Sequence, residues 1–195
     1  MRTRLARPED VAAISRLISQ FVAAGLLLPR TPEEVRSHLD RFIVVTEPVP
    51  AMDAPPGAAP PEATAPATTA KEERVLGCVA LEPYGRGLAE VRSLAVRRDE
   101  QGRGLGGRLL QAAIRTARRR KIARLFAVTH APSLFERQGF ATTQREAVPE
   151  KIERDCTDCA KRQHCKLVTL VAVVCPERVT LPVLGATPVK ACATA

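Results

Sequence analysis

Glu90-Val-Arg-Ser-Leu-Ala-Val-Arg-Arg-Asp-Glu-Gln-Gly-Arg-Gly-Leu-Gly-Gly-Arg-Leu-Leu110 divides into a strand, a glycine-rich turn and the opening of a helix that continues to Lys121. Val91, Ser93 and Ala95 alternate with Arg92, Leu94 and Val96, which suits a half-buried strand. The polar run Arg97-Arg98-Asp99-Glu100 ends that alternation. Leu105, Leu109, Leu110, Ala113, Ile114 and Ala117 then recur on one face of an amphipathic helix. Arg118, Arg119, Arg120 and Lys121 fall in its last turn, where cations suit the negative end of the helix dipole.

Between strand and helix stand Gly102, Gly104, Gly106 and Gly107. A turn of this kind presents unpaired backbone N–H groups with no side chains in the way, a cradle for phosphate or pyrophosphate. No Gly-Lys-Ser/Thr follows, so it is not a Walker A loop. A dinucleotide fold puts its glycines straight after a strand and an acidic residue at the end of the next. Here a polar run intervenes, and the strand Arg124 to Thr129 closes without a carboxylate.

Working outward, residues 2–7 read as a short strand and Pro8-Glu-Asp starts a helix whose apolar stripe is Val11, Ile14, Leu17, Ile18, Phe21 and Val22. Thr31-Pro-Glu-Glu starts a second helix, with Thr31 as its cap. Phe42 to Thr46 is a buried-strand run. Glu47 to Lys71 is rich in Pro, Ala and Thr and reads as a flexible insertion between strands. Arg74 to Leu81 and Ala89 to Val96, joined by Pro83-Tyr-Gly-Arg-Gly, form a hairpin. Ala123 to Thr129 is a strand, Ser133 to Gln138 a short helix ended by Gly139, and Lys166 to Val174 the last strand. The expectation is one α/β domain over residues 1–175, interrupted at 47–71, with a loose tail at 176–195. Its sheet is mixed but mostly antiparallel, with helices on both faces.

The chain has 195 residues and a net charge of +9, with a pI near 9.8. That charge favours anionic partners. With aromatics at 3% and Tyr84 the only tyrosine, a base-stacking platform for nucleic acid is not expected. No apolar run reaches the roughly 18 residues needed to span a bilayer. Met1-Arg-Thr-Arg-Leu-Ala-Arg leads into Pro8-Glu-Asp and not into a signal-peptide core, so no membrane association and a cytoplasmic location are expected.

Strand, polar run and Gln101-Gly-Arg-Gly-Leu-Gly106 together resemble the acetyl-CoA signature of the GNAT N-acetyltransferases, Arg/Gln-x-x-Gly-x-Gly/Ala. Leu134-Phe-Glu-Arg-Gln-Gly-Phe140, downstream, is similar to that family's Phe-Tyr-Glu-x-x-Gly-Phe ending. The resemblance implies the GNAT fold and acetyl-CoA as co-substrate. It places the cofactor on Leu94, Ala95 and Val96 of the strand and on Gln101, Gly102, Arg103, Gly104, Leu105, Gly106 and Gly107 of the turn. Ala89 to Val96, Leu125 to Thr129, Phe135 to Phe140 and the run Val148-Pro-Glu-Lys-Ile-Glu-Arg-Asp-Cys156 look like the acetyltransferase domain of N-acetylglutamate synthases, the last run like their short stand-alone members. That implies acetyl transfer to the α-amino group of L-glutamate, the entry step of arginine biosynthesis.

An ammonium must lose a proton before its nitrogen attacks a thioester, so a base is required. The family places it at Glu90; the alternative for Glu90 is a solvated carboxylate at a strand end. Arg92, on the same strand face as Glu90, together with Lys151 and Arg154, is the candidate set for the two carboxylates of glutamate. Surface roles for these three are the alternative. Where many members carry an acidic tyrosine this chain has Phe135, leaving Ser133, Cys156 or water to protonate the leaving thiolate.

Cys156-x-x-Cys159 with Cys165 is a zinc half-site by spacing; reduced thiols beside a substrate loop are the alternative. Rival readings are an acetyltransferase for another amine, a CoA-binding sensor without turnover, and a zinc-dependent basic nucleic-acid module, which leaves the glycine turn unexplained. A homodimer stays open.

Overall fold

The computed structural model describes residues 1–49, 73–85, 87–159 and 164–175. Its strands are β1 (Arg2–Leu5), β2 (Phe42–Pro48), β3 (Glu73–Pro83), β4 (Leu88–Val96), β5 (Arg124–Thr129), β6 (Ala141–Thr143) and β7 (Val168–Val173). They form one sheet in the order β1-β2-β3-β4-β5-β7-β6. Every neighbouring pair is antiparallel except β4 and β5. The helices are α1 (Val11–Ala23), α2 (Pro32–Ser37), α3 (Leu105–Arg119), α4 (Pro132–Glu136) and α5 (Pro149–Lys151).

The helices divide between the two faces as the apolar stripes require. Val11, Ile14, Leu17 and Ile18 of α1 and Val35 of α2 pack against Phe42, Val44, Cys78, Ala80 and Ala95. Leu105, Leu109, Leu110, Ala113, Ile114 and Ala117 of α3 cover the opposite face, with Ile43, Val45, Leu76, Val79, Leu81 and Val91. A fully buried leucine such as Leu109 or Leu110 contributes about 2 kcal/mol through burial. Thr31 caps α2: its side chain accepts from the Glu34 N–H at 3.1 Å, and the Glu34 carboxylate accepts from the Thr31 N–H at 2.7 Å.

Strand β4 departs from the alternation read in its sequence. Ala80 pairs with Arg92 but Cys78 pairs with Ala95, so one residue of β3 faces two of β4. This is a β-bulge, and Ser93 sits in it with φ at 50°. Beyond the bulge the faces exchange: Leu94 and Val96 join Val91 on the α3 side, and Ala95 turns to the α1 side. The buried Cys78 thiol lies 3.5 Å from the Ser93 carbonyl it donates to.

Other boundaries moved. Glu47 and Pro48, read as the start of the insertion, belong to β2 and face Arg74 and Glu73. Pro48 is tolerated because β1 reaches only as far as Thr46, so no strand on that side asks for its missing N–H. The insertion from residue 50 to its end at 71 and the tail (176–195) lie outside the described residues. Strand β6, helix α5 and the π-helical turn Ile152–Cys156 had no counterpart in the sequence reading.

Among the described residues, no helix is long and apolar enough to cross a membrane.

Candidate active site

The parallel pair β4–β5 is joined only where Leu88, Ala89 and Glu90 meet Arg124, Leu125 and Phe126. Beyond Glu90 the strands part, and among the described residues no strand lies beside the β4 edge from Val91 to Val96 on that side. A cleft of about 1460 Å³ opens there, lined by both β4 and the glycine turn. Its lining includes Glu90, Arg92, Leu94, Ala95, Val96, Gln101, Gly102, Gly104, Leu105, Gly106, Gly107, Lys151 and Arg154.

The turn is shaped by backbone conformation. Gly102 and Gly104 have φ of 81° and 74°, a region L side chains rarely enter, although a Cβ at either would meet no atom within 4 Å. Gly104 also precedes the first residue of α3. The first backbone bond into the helix runs from the Arg108 N–H to the Gly104 carbonyl (3.1 Å). The N–H groups of Leu105, Gly106 and Gly107 therefore precede the first helical bond, at the positive end of α3. That is what a pyrophosphate requires. Gln101 donates to the Val96 carbonyl at 3.2 Å, tying turn to strand. Arg103 is the exception among the turn residues: it pairs with the buried Glu100, which also holds Arg74 at 2.6 Å, and it does not line the cleft.

Four charged side chains that line the cleft, Glu90, Arg92, Lys151 and Asp155, interlock with the Tyr84 phenol. Glu90 is 3% exposed. Its Oε2 accepts from Lys151 Nζ at 2.9 Å and lies 2.9 Å from Tyr84 Oη and 3.4 Å from Arg92 Nε. Its Oε1 takes none of these contacts. Asp155, on the π-helical turn, repeats the pattern through Oδ2: Tyr84 at 2.7 Å, Lys151 at 2.6 Å and Arg92 at 3.3 Å. The single Tyr84 proton serves one of the two carboxylates at a time. Burial opposes the charge on Asp155, but the hydrogen bonds from Lys151 and Tyr84 outweigh it and pull the carboxyl down to about 2. Burial, reinforced by the neighbouring Glu90 charge, pushes the Tyr84 phenol far above the usual tyrosine range, so it stays protonated.

Arg154 lies on the outside of this group. Its guanidinium stacks 4.0 Å above the Tyr84 ring, donates to Glu82 at 2.9 Å and the Pro83 carbonyl at 2.9 Å, and lies 3.4 Å from Asp155 Oδ1. Phe126 meets the other side of the ring edge-on at 5.1 Å. Glu82 is held by Arg41 as well, at 2.7 Å; burial opposes its charge, and the surrounding arginines still keep its carboxyl below the ordinary range.

Tyr84, Asp155 and Glu82 were not among the residues singled out from the sequence. Tyr84 sits in a turn and Asp155 lies far along the chain from it, so no periodicity links them. The one local signal was the spacing of Lys151 and Asp155, i and i+4 on a helical turn. Cys156, Cys159 and Cys165 all line the same cleft. Among the described residues, though, they form no group of three or more ligating side chains able to hold a metal ion. The zinc reading is therefore not supported: the thiols are free, spread along the π-helical turn and the segment after it. Phe135 is buried against Phe140, ring to ring at 5.4 Å, and brings no acidic group to the cleft.

Relatives converge on one family. Residues 33–140 match the model of the Acetyltransferase (GNAT) family. An uncharacterized N-acetyltransferase of Chlorobaculum tepidum is 30% identical over 168 residues, 86% of this chain and 93% of that protein. The amino-acid acetyltransferase of Neisseria meningitidis is 27% identical over 163 residues, 83% of this chain but only 32% of that enzyme. The N-acetylglutamate synthase of Neisseria gonorrhoeae, solved with coenzyme A and N-acetyl-glutamate, aligns with a TM-score of 0.66 at 26% identity, over 87% of this chain and 34% of that one. The chain thus spans about a third of either Neisseria enzyme. A Mycobacterium tuberculosis protein in complex with CoA shares the fold, with a TM-score of 0.65 at 22% identity over 89% of this chain and 99% of that one. With more than half its length inside the family model, and a sheet that parts beside a glycine-turned helix N-terminus, the chain belongs to the GNAT acetyltransferase family.

Proposed function

We propose that this acetyl-CoA-dependent acetyltransferase acts on the α-amino group of L-glutamate, within a single domain over residues 1–175. The observation that carries the reading is Glu90: a buried carboxylate with one oxygen held by Lys151 beside Tyr84 and Arg92 and the other left over, in the cleft that the glycine turn opens. A carboxylate so oriented is a base with a single free oxygen, Oε1. Arg92 and Lys151 pair with it and Arg154 lines the same cleft, cations of the kind that receive an acidic acceptor. The Neisseria relatives named amino-acid acetyltransferase and N-acetylglutamate synthase support the same acceptor. In that role the enzyme catalyses the entry step of arginine biosynthesis.

In this mechanism Glu90 Oε1 takes a proton from the acceptor ammonium, and the freed nitrogen lone pair attacks the thioester carbonyl. Backbone N–H groups on the open edge of β4, around Leu94 and Val96, stabilise the oxyanion of the tetrahedral intermediate. The turn from Gln101 to Gly107 holds the pyrophosphate. The attacking nitrogen gives up its second proton to solvent, and collapse of the intermediate breaks the C–S bond, forming the amide and releasing CoA as a thiolate. That is a tolerable leaving group, so the phenylalanine at 135 is no obstacle, and Ser133, Cys156 or water can supply the proton.

The test is to mix purified protein with acetyl-CoA and single amino acids and follow release of free thiol. Release with L-glutamate, and not with glutamine, is expected. Release with another amine alone would keep the acetyltransferase and discard glutamate. Acetyl-CoA binding without release from any acceptor would make the chain a sensor.

A further inference from the structure

The cations proposed to hold the acceptor are already engaged by a carboxylate of the protein itself. Asp155 Oδ2 receives Tyr84, Lys151 and Arg92 at 2.7, 2.6 and 3.3 Å. We infer that Tyr84, Arg92 and Lys151 form a seat for the acceptor's α-carboxylate, and that Asp155 fills this seat until the acceptor displaces it. This rests on the amino-acid acceptor proposed above.

The donors argue for exchange over addition. Arg92 and Lys151 already serve two carboxylates, Glu90 and Asp155, and the single phenol proton of Tyr84 serves one oxygen at a time. A further carboxylate in this seat needs the donors that Asp155 now holds, and Asp155 has somewhere to go. Its other oxygen, Oδ1, already lies 3.4 Å from Arg154 Nε, and the Arg154 side chain is 42% exposed. Asp155 rides on the π-helical turn Ile152–Cys156, an irregular turn of the kind found at functional sites. Rotation outward keeps one ion pair and empties the seat.

The seat also fixes the acceptor's nitrogen. Glu90 Oε2 shares Tyr84 and Lys151 with it, so the two carboxylates stand side by side. In an α-amino acid the nitrogen is two bonds from the carboxylate carbon. An acceptor seated by that carboxylate therefore presents its ammonium beside Glu90, whose Oε1 is the free oxygen. An amine without an α-carboxylate cannot displace Asp155 and gains no such registration.

Asp155→Ala and Asp155→Asn test this, with steady-state kinetics and with the emission of Tyr84, the chain's one tyrosine in the absence of tryptophan. That emission reads occupancy of the seat without turnover. Removing the competitor is expected to lower KM for L-glutamate about fivefold in Asp155→Ala and less in Asp155→Asn, with the change in KM more than in kcat. The tyrosine response is expected to move to lower L-glutamate concentration by the same factor. 4-Aminobutanoate, which lacks the α-carboxylate, is expected to be neither acetylated nor sensed. A KM that rises or stays put in variants whose circular dichroism is intact overturns the inference, because it makes Asp155 a support for Lys151. Acetylation of 4-aminobutanoate as fast as L-glutamate overturns it too. If the wild type turns over a different α-amino acid and the Asp155 variants lower its KM, glutamate is wrong and the seat stands.

Discussion

At the scale of single residues, the proposed base is held through one oxygen only. Every close partner of Glu90 sits on Oε2. Glu90→Gln keeps the shape but removes the base, and kcat is expected to fall about 100-fold or more while KM for acetyl-CoA stays put; thiol release under saturating acetyl-CoA measures it. Glu90, Arg92 and Lys151 were legible because they stand in motifs with a known order. Tyr84 was not: a lone tyrosine in a turn carries no pattern, and its partner Asp155 is brought in by the packing of the π-helical turn. The spacing Cys-x-x-Cys was equally visible and pointed to zinc, since spacing alone does not say whether the thiols converge.

Among the elements, the bulged pair β3–β4 and the start of α3 shape the cleft. A Cβ on Gly77 would lie 2.8 Å from the Ala95 carbonyl and 3.0 Å from Leu109 Cδ1. Neither can retreat: one is strand backbone and the other is fixed in the core. Gly77→Ala is expected to cost about 1–3 kcal/mol and lower Tm by roughly 2–10 °C, read by thermal denaturation. Gly104→Ala meets no atom but forces φ of 74° on an L residue, at about 1–2 kcal/mol. Its signature differs: KM for acetyl-CoA rises because the N–H groups ahead of Arg108 lose their aim. The longer strands and the long helix were readable because period 2 and period 3.6 hold over most of their lengths; β6, three residues long, is too short to show a period. The bulge was not, because Ser93 looks like any strand residue and alternation carries no mark where it slips.

For the molecule as a whole, acid stability follows from its buried ion pairs. Asp155 titrates near 2 in the fold, pulled down by Lys151 and Tyr84 against the effect of burial, and Glu82 lies below its ordinary range among Arg154, Arg41 and Arg30. A carboxyl whose pKa is lower folded than unfolded contributes stability that is complete above its unfolded value, about 4. That stability is lost as pH falls through the folded one. Tm is therefore expected to drop between about pH 4 and pH 2, and the drop is expected to be shallower in Asp155→Ala; calorimetry across that range decides it. At this scale the order of the longer strands and helices was readable, since each carries its own apolar face, while the short β6 and α5 were not. The parting of β4 from β5 was not, because it depends on register across strands far apart in sequence.

That parting has a further consequence. A sheet interrupted beside β4 is an unfinished sheet, and an extended amide-bearing ligand laid along the exposed edge completes it as an added strand would. Acetyl-CoA held there, as proposed above, would serve the protein as a structural member as well as a reactant. Amide hydrogens of Leu94 and Val96 should exchange slowly with solvent in its presence and quickly without it, and the empty enzyme should be the looser of the two states throughout the half of the sheet that the ligand bridges.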